Sequence, residues 1–318
     1  MEHLKIALHE HGTISFAHDW EKYQKFNPET LLKDFADACF SRGIDICAVT
    51  SEYWEIPRGF VQDRLGYLAK QIDNMPLYYR AEKLGNNMLV VEQKTSGKKL
   101  YLVSGQTAIV AEPIENGKKR RLDHLVVGTN QVPNLRSLKD TINYCHDNGL
   151  ISIAEHPTMD RDFSLGGSGM DKSTLLTYWD KLDAIEGHNS MVAVPNWLGF
   201  LPKLGEYTRT HNKQVQAFAE KHGKPWVAIS DSHRLKDIGL SYIKCSQEDI
   251  DFSDEEKLLS TLKQTISNGQ FIPVANYSNM LGWIQWTMQF MKGNRAIRDS
   301  LDDKYQPSSN SLKRLVEY

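Results

Sequence analysis

The sequence KIALHEHGT, residues 5–13, joins a short apolar run to two histidines that lie two residues apart. The apolar run predicts a buried strand that ends at His9 and His11. On an extended backbone, residues i and i+2 point to the same face, so both imidazoles can reach a single cation. Paired histidines are also common as hydrogen-bonded surface groups, so the rest of the chain must supply further ligands if a metal site exists here.

Short apolar runs alternate with amphipathic segments along most of the chain. The predicted strands cover residues 5–9, 45–50, 100–105, 124–128, 150–156, 183–186 and 226–231. The predicted helices cover residues 28–41, 134–148, 208–222 and 253–268. This alternation predicts an α/β protein with a mainly parallel sheet, either open or closed into a barrel. One interval differs, because two apolar runs flank TSGKK, residues 95–99, and predict a hairpin.

The composition is that of a globular protein without a marked preference for one class of partner. The chain has 318 residues, of which 25% are charged, and a formal net charge of -2. This balance argues against a generic binder of nucleic acid or membrane surfaces. Neither a secretory signal nor a membrane-spanning run is evident, so we expect no membrane association. Reduced thiols and a cytoplasmic location are predicted by four widely spaced cysteines, Cys39, Cys47, Cys145 and Cys245.

Histidines and acidic residues concentrate where the predicted strands begin or end. In parallel α/β proteins, ligands and catalytic groups gather at the carboxyl ends of the strands. Imidazole and carboxylate are the usual protein ligands of zinc, manganese and iron, and a site of two or three such ions activates water for ester or amide hydrolysis. The residues concerned are His9, His11, Glu52, His124, Glu155, His156, Asp231 and His233.

Seven motifs resemble, in their order, those of the PHP (polymerase and histidinol phosphatase) metallophosphoesterases. The segments are LHEHGT, GIDICAVTSEY, LVSGQT, DHLVVG, IAEHP, AIEGHN and ISDSHR, and the resemblance covers roughly residues 3–275. They look like the family's His-x-His, Thr-Asp-His, Gly-x-Glu, histidine-bearing strand, Ala-His-Pro, Glu-x-x-Asn and Ser-Asp-Ala-His motifs. The resemblance implies an α/β fold, a distorted seven-stranded β/α barrel with a short C-terminal helical extension.

The resemblance also implies ligands for two divalent ions, which we expect to be zinc, manganese or iron. The residues implied for the first ion are His9, His11 and Asp231, and those for the second are His124 and His156.

A third ion is an open alternative, with His18, Glu52 and His233 as the implied ligands. His18 lies close to the place where the family often has a further histidine. It is explained equally well as a loop residue.

Two positions depart from the family pattern. Ser51-Glu52 stands where the family usually has Asp-His, and Thr107 stands where it has a glutamate that bridges two metals. Glutamate can replace histidine as a ligand, whereas threonine is a poor replacement for a bridging carboxylate. Because side chains alternate along a strand, Glu155 should point to the face opposite to His156. The candidates for a substitute carboxylate or amide are Gln106, Glu112 and Glu155.

Phosphate binding and proton transfer require further groups beside the ions. Arg234, which follows His233, and Arg161, in the loop after His156, are the candidate phosphate-binding cations. Both could equally be solvated surface residues. His188 and Asn189 close the sixth predicted strand and could contact substrate or protonate a leaving group, with a buried structural hydrogen bond as the alternative.

We divide the chain into a PHP-like metal-dependent hydrolase domain, residues 1–275, and a C-terminal helical extension with a polar tail, residues 276–318. Trp283, Trp286 and Phe290 recur at helical spacing and give the extension an aromatic face. Packing of this face against the barrel is favoured, and an oligomer interface is the alternative.

The leading hypothesis is a metal-dependent phosphoesterase in which metal-activated hydroxide attacks phosphorus. The expected substrate is a phosphorylated small molecule, a nucleotide or a nucleic-acid end. Metal-dependent amidohydrolases also begin with His-x-His and end with a strand-end aspartate, so they are the second hypothesis. A PHP-like binding module that has lost catalysis is the third, and Ser51 and Thr107 favour it.

Overall fold

The computed structural model describes residues 2–12, 28–51, 63–113, 119–134, 136–158, 169–191, 194, 196–198, 200 and 208–285. Its strands are β1 (His3–Glu10), β2 (Ile46–Ser51), β3 (Tyr79–Lys83), β4 (Met88–Gln93), β5 (Lys98–Pro113), β6 (Lys119–Val127), β7 (Ile151–Ala154), β8 (Ala184–Asn189), β9 (Trp226–Ile229), β10 (Tyr242–Ser246) and β11 (Ile272–Val274). Its helices are α1 (Pro28–Arg42), α2 (Arg64–Ala69), α3 (Leu138–Asp147), α4 (Lys172–Thr177), α5 (Arg209–Lys221) and α6 (Glu255–Ser267).

Seven of these strands form a nearly closed barrel in the order β1-β2-β5-β6-β7-β8-β9. A parallel bridge between Glu10 and Ser232 joins the two ends of the series. The backbone N–H of His11 donates to the carbonyl of Ser232 at 2.9 Å, and that of Asp231 donates to the carbonyl of His9 at 3.1 Å. The predicted distorted seven-stranded barrel is confirmed, and the seven predicted strands are the strands that form it.

The barrel departs from a parallel arrangement at β6, which is antiparallel to both β5 and β7. Only residues 114–118 connect β5 to β6, and a connection this short reverses the chain instead of crossing over to a parallel position. The predicted hairpin around TSGKK is confirmed, because β4 pairs with β5 in antiparallel fashion. Strand β10 pairs with β1 outside the ring, and β11 pairs with β10.

The barrel interior is filled by alternate side chains from the ring strands, including Ile6, Leu125 and Ile229. Leu258 and Leu262 of α6 belong to the same cluster. This helix covers the amino-terminal ends of β7 and β8, because Lys263 Nζ donates to the Leu150 carbonyl at 2.7 Å and Ser267 Oγ donates to Asp183 at 2.6 Å. The carboxyl ends of the parallel strands therefore remain for the site.

Two β-bulges set which polar side chains enter the barrel. The pairing of β1 with β2 shifts between Ala7 and Glu10, so Leu8 and His9 both face the interior and His11 follows on the same side. The pairing of β8 with β9 shifts between Glu186 and His188, so Glu186 and Asn189 pair with inward-facing residues. Bulges commonly re-aim side chains in this way next to active sites.

Two predictions from the composition concern the cysteines and membrane-spanning segments. The four cysteines are buried and free of disulfide bonds. In the described part of the chain, no helix is long and apolar enough to cross a membrane.

Residues 280–285 are helical, whereas residues 286–318, with Trp286 and Phe290, lie outside the described ranges. The domain boundary after residue 275 and the role of the aromatic face stay predictions.

Candidate metal centre

The carboxylate of Asp231 lies among the rings of four histidines at the carboxyl end of the barrel. Its Oδ1 atom lies 3.2 Å from His11 Nε2, 3.4 Å from His233 Nε2 and 3.7 Å from His9 Nε2. Its Oδ2 atom lies 3.8 Å from His156 Nε2. All five side chains are buried. The candidate ligand atoms of His9, His11 and Asp231 lie within 4.8 Å of one another, which is a spacing that one ion can span.

Two of these residues hold backbone conformations that L-amino acids rarely adopt. The φ angle is 44° at His156 and 52° at Asp231. Each residue lies two positions after the last residue of a short strand, so the left-handed turn bends the chain across the mouth of the barrel. Such conformations cost of order 1–3 kcal/mol and cluster at functional sites. Aspartate tolerates this region better than most residues, whereas histidine is less suited to it.

Hydrogen bonds on the far side of the imidazoles fix their orientation. The Nδ1 atom of His11 lies 3.0 Å from the Thr50 carbonyl, so it carries the proton and leaves the Nε2 lone pair facing Asp231. The Nδ1 atom of His156 lies 3.1 Å from Glu186 Oε1. Carboxylate and carbonyl partners of this kind orient histidine ligands in metal sites.

Asn189 ties two carboxylates of the site together. Its Nδ2 group donates to Asp231 Oδ2 at 3.1 Å and to Glu186 Oε1 at 2.9 Å. The amide therefore holds the Oδ2 side of Asp231 in place next to His156.

The electrostatics of the cluster suit a cation. Burial lowers the pKa of His9 and of His11 to about 3, against the opposing effect of Asp231. Burial alone would raise the pKa of Asp231, but the neighbouring His9, His11 and His233 hold it well below its ordinary value. Neutral His9 and His11 imidazoles beside an ionised Asp231 are in the protonation states that metal ligation requires. At His156, by contrast, the effect of burial is outweighed by Glu186 and Glu155, which raise the pKa of this histidine well above its ordinary value.

Glu155 belongs to this cluster, and the prediction that it points away from His156 is wrong. Its Oε1 atom lies 3.3 Å from His156 Nε2 and 3.7 Å from His9 Nε2, and it accepts a hydrogen bond from Thr107 Oγ1 at 3.3 Å. Strand β7 ends at Ala154, and the left-handed turn at His156 breaks the alternation on which the prediction depended.

The other two candidates for a substitute group have structural contacts. Gln106 Nε2 donates to the Val132 carbonyl at 2.9 Å. Glu112 accepts from the backbone N–H of Leu138, at the start of α3, at 2.7 Å. Of the three candidates, the structure brings only Glu155 to the histidines.

Two predicted site histidines lie on the outer side of the barrel wall. His124 pairs with Ala108 and Ala154, which belong to clusters outside the interior, and its Nε2 atom lies 2.9 Å from Ser152 Oγ. The structure therefore does not bring it to His156. Its neighbour Asp123 takes the inward phase of the strand and contributes to raising the pKa of Glu155.

His188 likewise lies away from the cluster, beside α5. Its Nε2 atom lies 2.8 Å from the Asn276 carbonyl, and its Nδ1 atom lies 3.2 Å from Asn212 Nδ2. Both ring nitrogens thus have partners, which matches the structural alternative for this residue. The catalytic role of His188 finds no support in these contacts.

The predicted phosphate-binding residues have different outcomes. Arg234 is buried. It forms an ion pair with Asp237 and donates to Gln285 Oε1 at 2.8 Å, so two of its guanidinium nitrogen atoms already have protein partners. Arg161, His18 and Glu52 lie outside the described residues. Their predicted roles stay predictions.

The residues that the sequence interpretation missed are Glu186 and Asp123. Glu186 belongs to the Glu-x-x-Asn segment that was matched to the family, but only Asn189 of that pair was given a candidate role. Asp123 lies in LDHLVV, where nearly every neighbour is apolar. The alternation of apolar and polar residues therefore does not show which of Asp123 and His124 faces the barrel interior.

Comparison with known proteins gives one family and a fold relationship. Residues 209–265, which include Asp231 and His233, match the family model described as PHP-associated. The structure of PsfC from Pseudomonas syringae PB-5123 is similar, with a TM-score of 0.51 and 15% identity over 94% of this chain and 99% of PsfC. A two-domain protein from Bacteroides vulgatus ATCC 8482, whose description includes a predicted PHP-like metal-dependent phosphoesterase, has a TM-score of 0.48 and 12% identity, over 91% of this chain and 70% of that protein. No curated protein matches the chain. At this identity, the likeness to PsfC shows a shared fold.

Proposed function

We propose that this chain, which belongs to the PHP family, is a metal-dependent phosphoesterase that hydrolyses a phosphomonoester or a phosphodiester. The observation that carries the proposal is the Asp231 carboxylate surrounded by the Nε2 atoms of four buried histidines. Buried charges in proteins are paired or coordinate metals. The described partners of Asp231 include the Asn189 amide and the imidazoles of His9 and His11, which burial keeps neutral, so a divalent cation would complete the site.

An unpartnered polar atom in the cluster supports the fit of a metal. The Oε2 atom of Glu155 is buried and has no hydrogen-bond partner among the described residues. Buried polar groups are normally satisfied, and a bound ion is one recognised reason for an exception. The nitrogen and oxygen donors match zinc, manganese and iron equally.

Two ions suit the two sides of the Asp231 carboxylate. His9 and His11 face Oδ1, together with His233, whereas His156 faces Oδ2. We assign the first ion to His9, His11 and Asp231. The second ion is assigned to His156 with a share of Asp231, and a third ion near His233 would require ligands from outside the described residues.

The chemistry follows from this donor set. Divalent ions bound here supply Lewis-acid activation of water and of the phosphoryl oxygens. The chain contributes imidazoles held by Thr50 and Glu186, a carboxylate anchored by Asn189, and a site at the mouth of a closed barrel. The substrate class remains a phosphorylated small molecule, a nucleotide or a nucleic-acid end, with Arg161 as the proposed phosphate-binding residue.

The test uses protein purified without chelator. Hydrolysis of p-nitrophenyl phosphate and bis(p-nitrophenyl) phosphate is measured with added Mn²⁺, Zn²⁺ or Fe²⁺. We expect activity with at least one ion, its loss in His9→Ala, and its retention in His146→Ala, since His146 is an exposed residue of α3.

Three outcomes would oppose the proposal. Cleavage of an anilide amide but of neither phosphate ester would favour the amidohydrolase hypothesis. Tight metal binding without hydrolysis of any ester would favour a non-catalytic binding module. Less than one bound ion per chain, with no activity under any ion, would exclude a metal-dependent enzyme.

A further inference from the structure

Strand alternation predicted that Glu155 points away from the site. In the structure, its side chain lies close to two histidines. Its Oε1 atom lies 3.7 Å from His9 Nε2 and 3.3 Å from His156 Nε2. These rings come from β1 and from the turn after β7, and their centroids are 6.3 Å apart. A carboxylate between two imidazoles of this separation can contact ions held by either ring.

The geometry points to Glu155 as a metal ligand that bridges the ion held by His9 and the ion held by His156. This inference rests on the proposed function, because it requires that ions bind at the cluster. It adds a ligand to the proposed metal site. Glu155 would supply the bridging carboxylate that Thr107 cannot supply.

The surroundings of Glu155 support a ligand role over a simple ion pair. Its Oε1 atom accepts a hydrogen bond from Thr107, while its Oε2 atom is buried and has no partner among the described residues. An ion pair with His156 leaves that second oxygen desolvated without a compensating hydrogen bond, which is unfavourable for a charged group. A bridging carboxylate uses both oxygens.

His156 cannot by itself balance the charge around it. Its Nε2 atom lies 3.3 Å from Glu155 Oε1, and its Nδ1 atom lies 3.1 Å from Glu186 Oε1. One imidazole therefore stands between two buried carboxylates, with Asp231 Oδ2 at 3.8 Å as a third acidic neighbour. A divalent ion beside Glu155 would offset this excess, and Glu186 would then hold the Nδ1 proton of a histidine ligand.

Thr107 explains how the relocation is accommodated. Its Oγ1 atom lies 3.4 Å from His9 Nε2 and 3.3 Å from Glu155 Oε1. A carboxylate extending from position 107 would enter the space that the Glu155 carboxylate now occupies. Both side chains lie beside His9 Nε2, so positions 107 and 155 are alternative sources of the same ligand.

The experiment counts ions and detects their coupling without reference to activity. Apo protein is loaded with Mn²⁺, bound metal per chain is measured by mass spectrometry, and the electron paramagnetic resonance spectrum reports a spin-coupled pair. Wild type is expected to bind about two coupled ions, and Glu155→Gln about one uncoupled ion. The Thr107→Glu/Glu155→Ala double variant, in which alanine vacates the space for the new carboxylate, is expected to restore the coupled pair.

Glu112→Gln is the matched control, because Glu112 caps α3 and lies apart from the histidines. It is expected to bind ions as wild type does. Circular dichroism verifies that each variant folds. If Glu155→Gln does not fold, Glu155→Asp is tested in its place. The Asp side chain keeps the charge but is one methylene shorter, so it is expected to weaken the coupling without removing the first ion.

The outcomes separate this inference from the function on which it rests. A coupled pair retained in Glu155→Gln would overturn the inference and leave the phosphoesterase proposal intact. A single ion in both wild type and Glu155→Gln would do the same. Absence of bound Mn²⁺ in wild type would overturn both.

Discussion

Replacement of Asp231 by asparagine removes the charge at the centre of the proposed site while preserving its shape. The side chain contacts four imidazole Nε2 atoms at 3.2–3.8 Å, and among the described residues no other single group reaches as many candidate ligands. Asparagine, like aspartate, tolerates the left-handed backbone conformation that this position requires, with a φ angle of 52°. Its amide oxygen can also accept the hydrogen bond from Asn189. The metal-free variant is therefore expected to fold.

The expected loss of metal affinity has a lower bound. Removal of a group that merely orients a ligand typically costs 10–100-fold in affinity. Asp231 is a proposed ligand, so its neutralisation should cost at least about 100-fold, or about 2.7 kcal/mol of binding free energy. Both ions should weaken, because the two oxygens of Asp231 face different histidines.

Isothermal titration of the metal-free protein with Mn²⁺ measures this loss directly. Asp147→Asn is the control, since Asp147 is exposed near the end of α3. Its dissociation constant should equal that of wild type. A dissociation constant for Asp231→Asn within about threefold of wild type, in a variant with native circular dichroism, would refute the assignment of Asp231 as a shared ligand.

Three further variants test the supporting structure. Burial lowers the pKa of His188 to about 4, below its unfolded value of about 6.5. The neutral, buried His188 therefore contributes stability that is fully present above about pH 6.5 and is lost as the pH falls from about 6.5 to about 4. His188→Gln should therefore lose roughly 2 kcal/mol less of its unfolding free energy than wild type between pH 7.5 and 5, measured with urea; equal losses would contradict this. Gly169→Ala would place a Cβ atom 1.6 Å from the His156 carbonyl oxygen, so it should shift His156 and weaken Mn²⁺ binding about tenfold or more in titration calorimetry. Leu258→Ala should cost about 2–5 kcal/mol of unfolding free energy in urea while leaving Mn²⁺ affinity unchanged, since α6 lies at the opposite end of the barrel from the histidines.

The seven barrel strands could be predicted from the sequence because they are short, apolar and bounded by polar residues, whereas the closure into a barrel was implied only by the family resemblance. The run before His9 and the runs ISIA and WVAIS are buried on both faces, so they appear as continuous apolar segments. The same property hides the phase of each strand. In LDHLVV, apolar residues fill both faces, and nothing in the pattern shows that Asp123 faces inward and His124 outward.

The positions of Glu155 and Glu186 could not be predicted, for a related reason. Strand alternation holds only while the backbone remains extended and in register. The left-handed turn at His156 turns Glu155 into the site, and the bulge after Glu186 brings Asn189 to the same side. These irregularities depend on contacts between β7, β8 and β9 that are distant in sequence. Local pattern therefore located the site but did not determine which side chains point into it.

Anomalous diffraction from crystals of the Mn²⁺-loaded protein tests the central claim most directly. The account predicts an anomalous peak at bonding distance from His9, His11 and Asp231, and a second peak beside His156 and Glu155. Absence of any peak among these residues, with metal bound only at surface side chains, would contradict it.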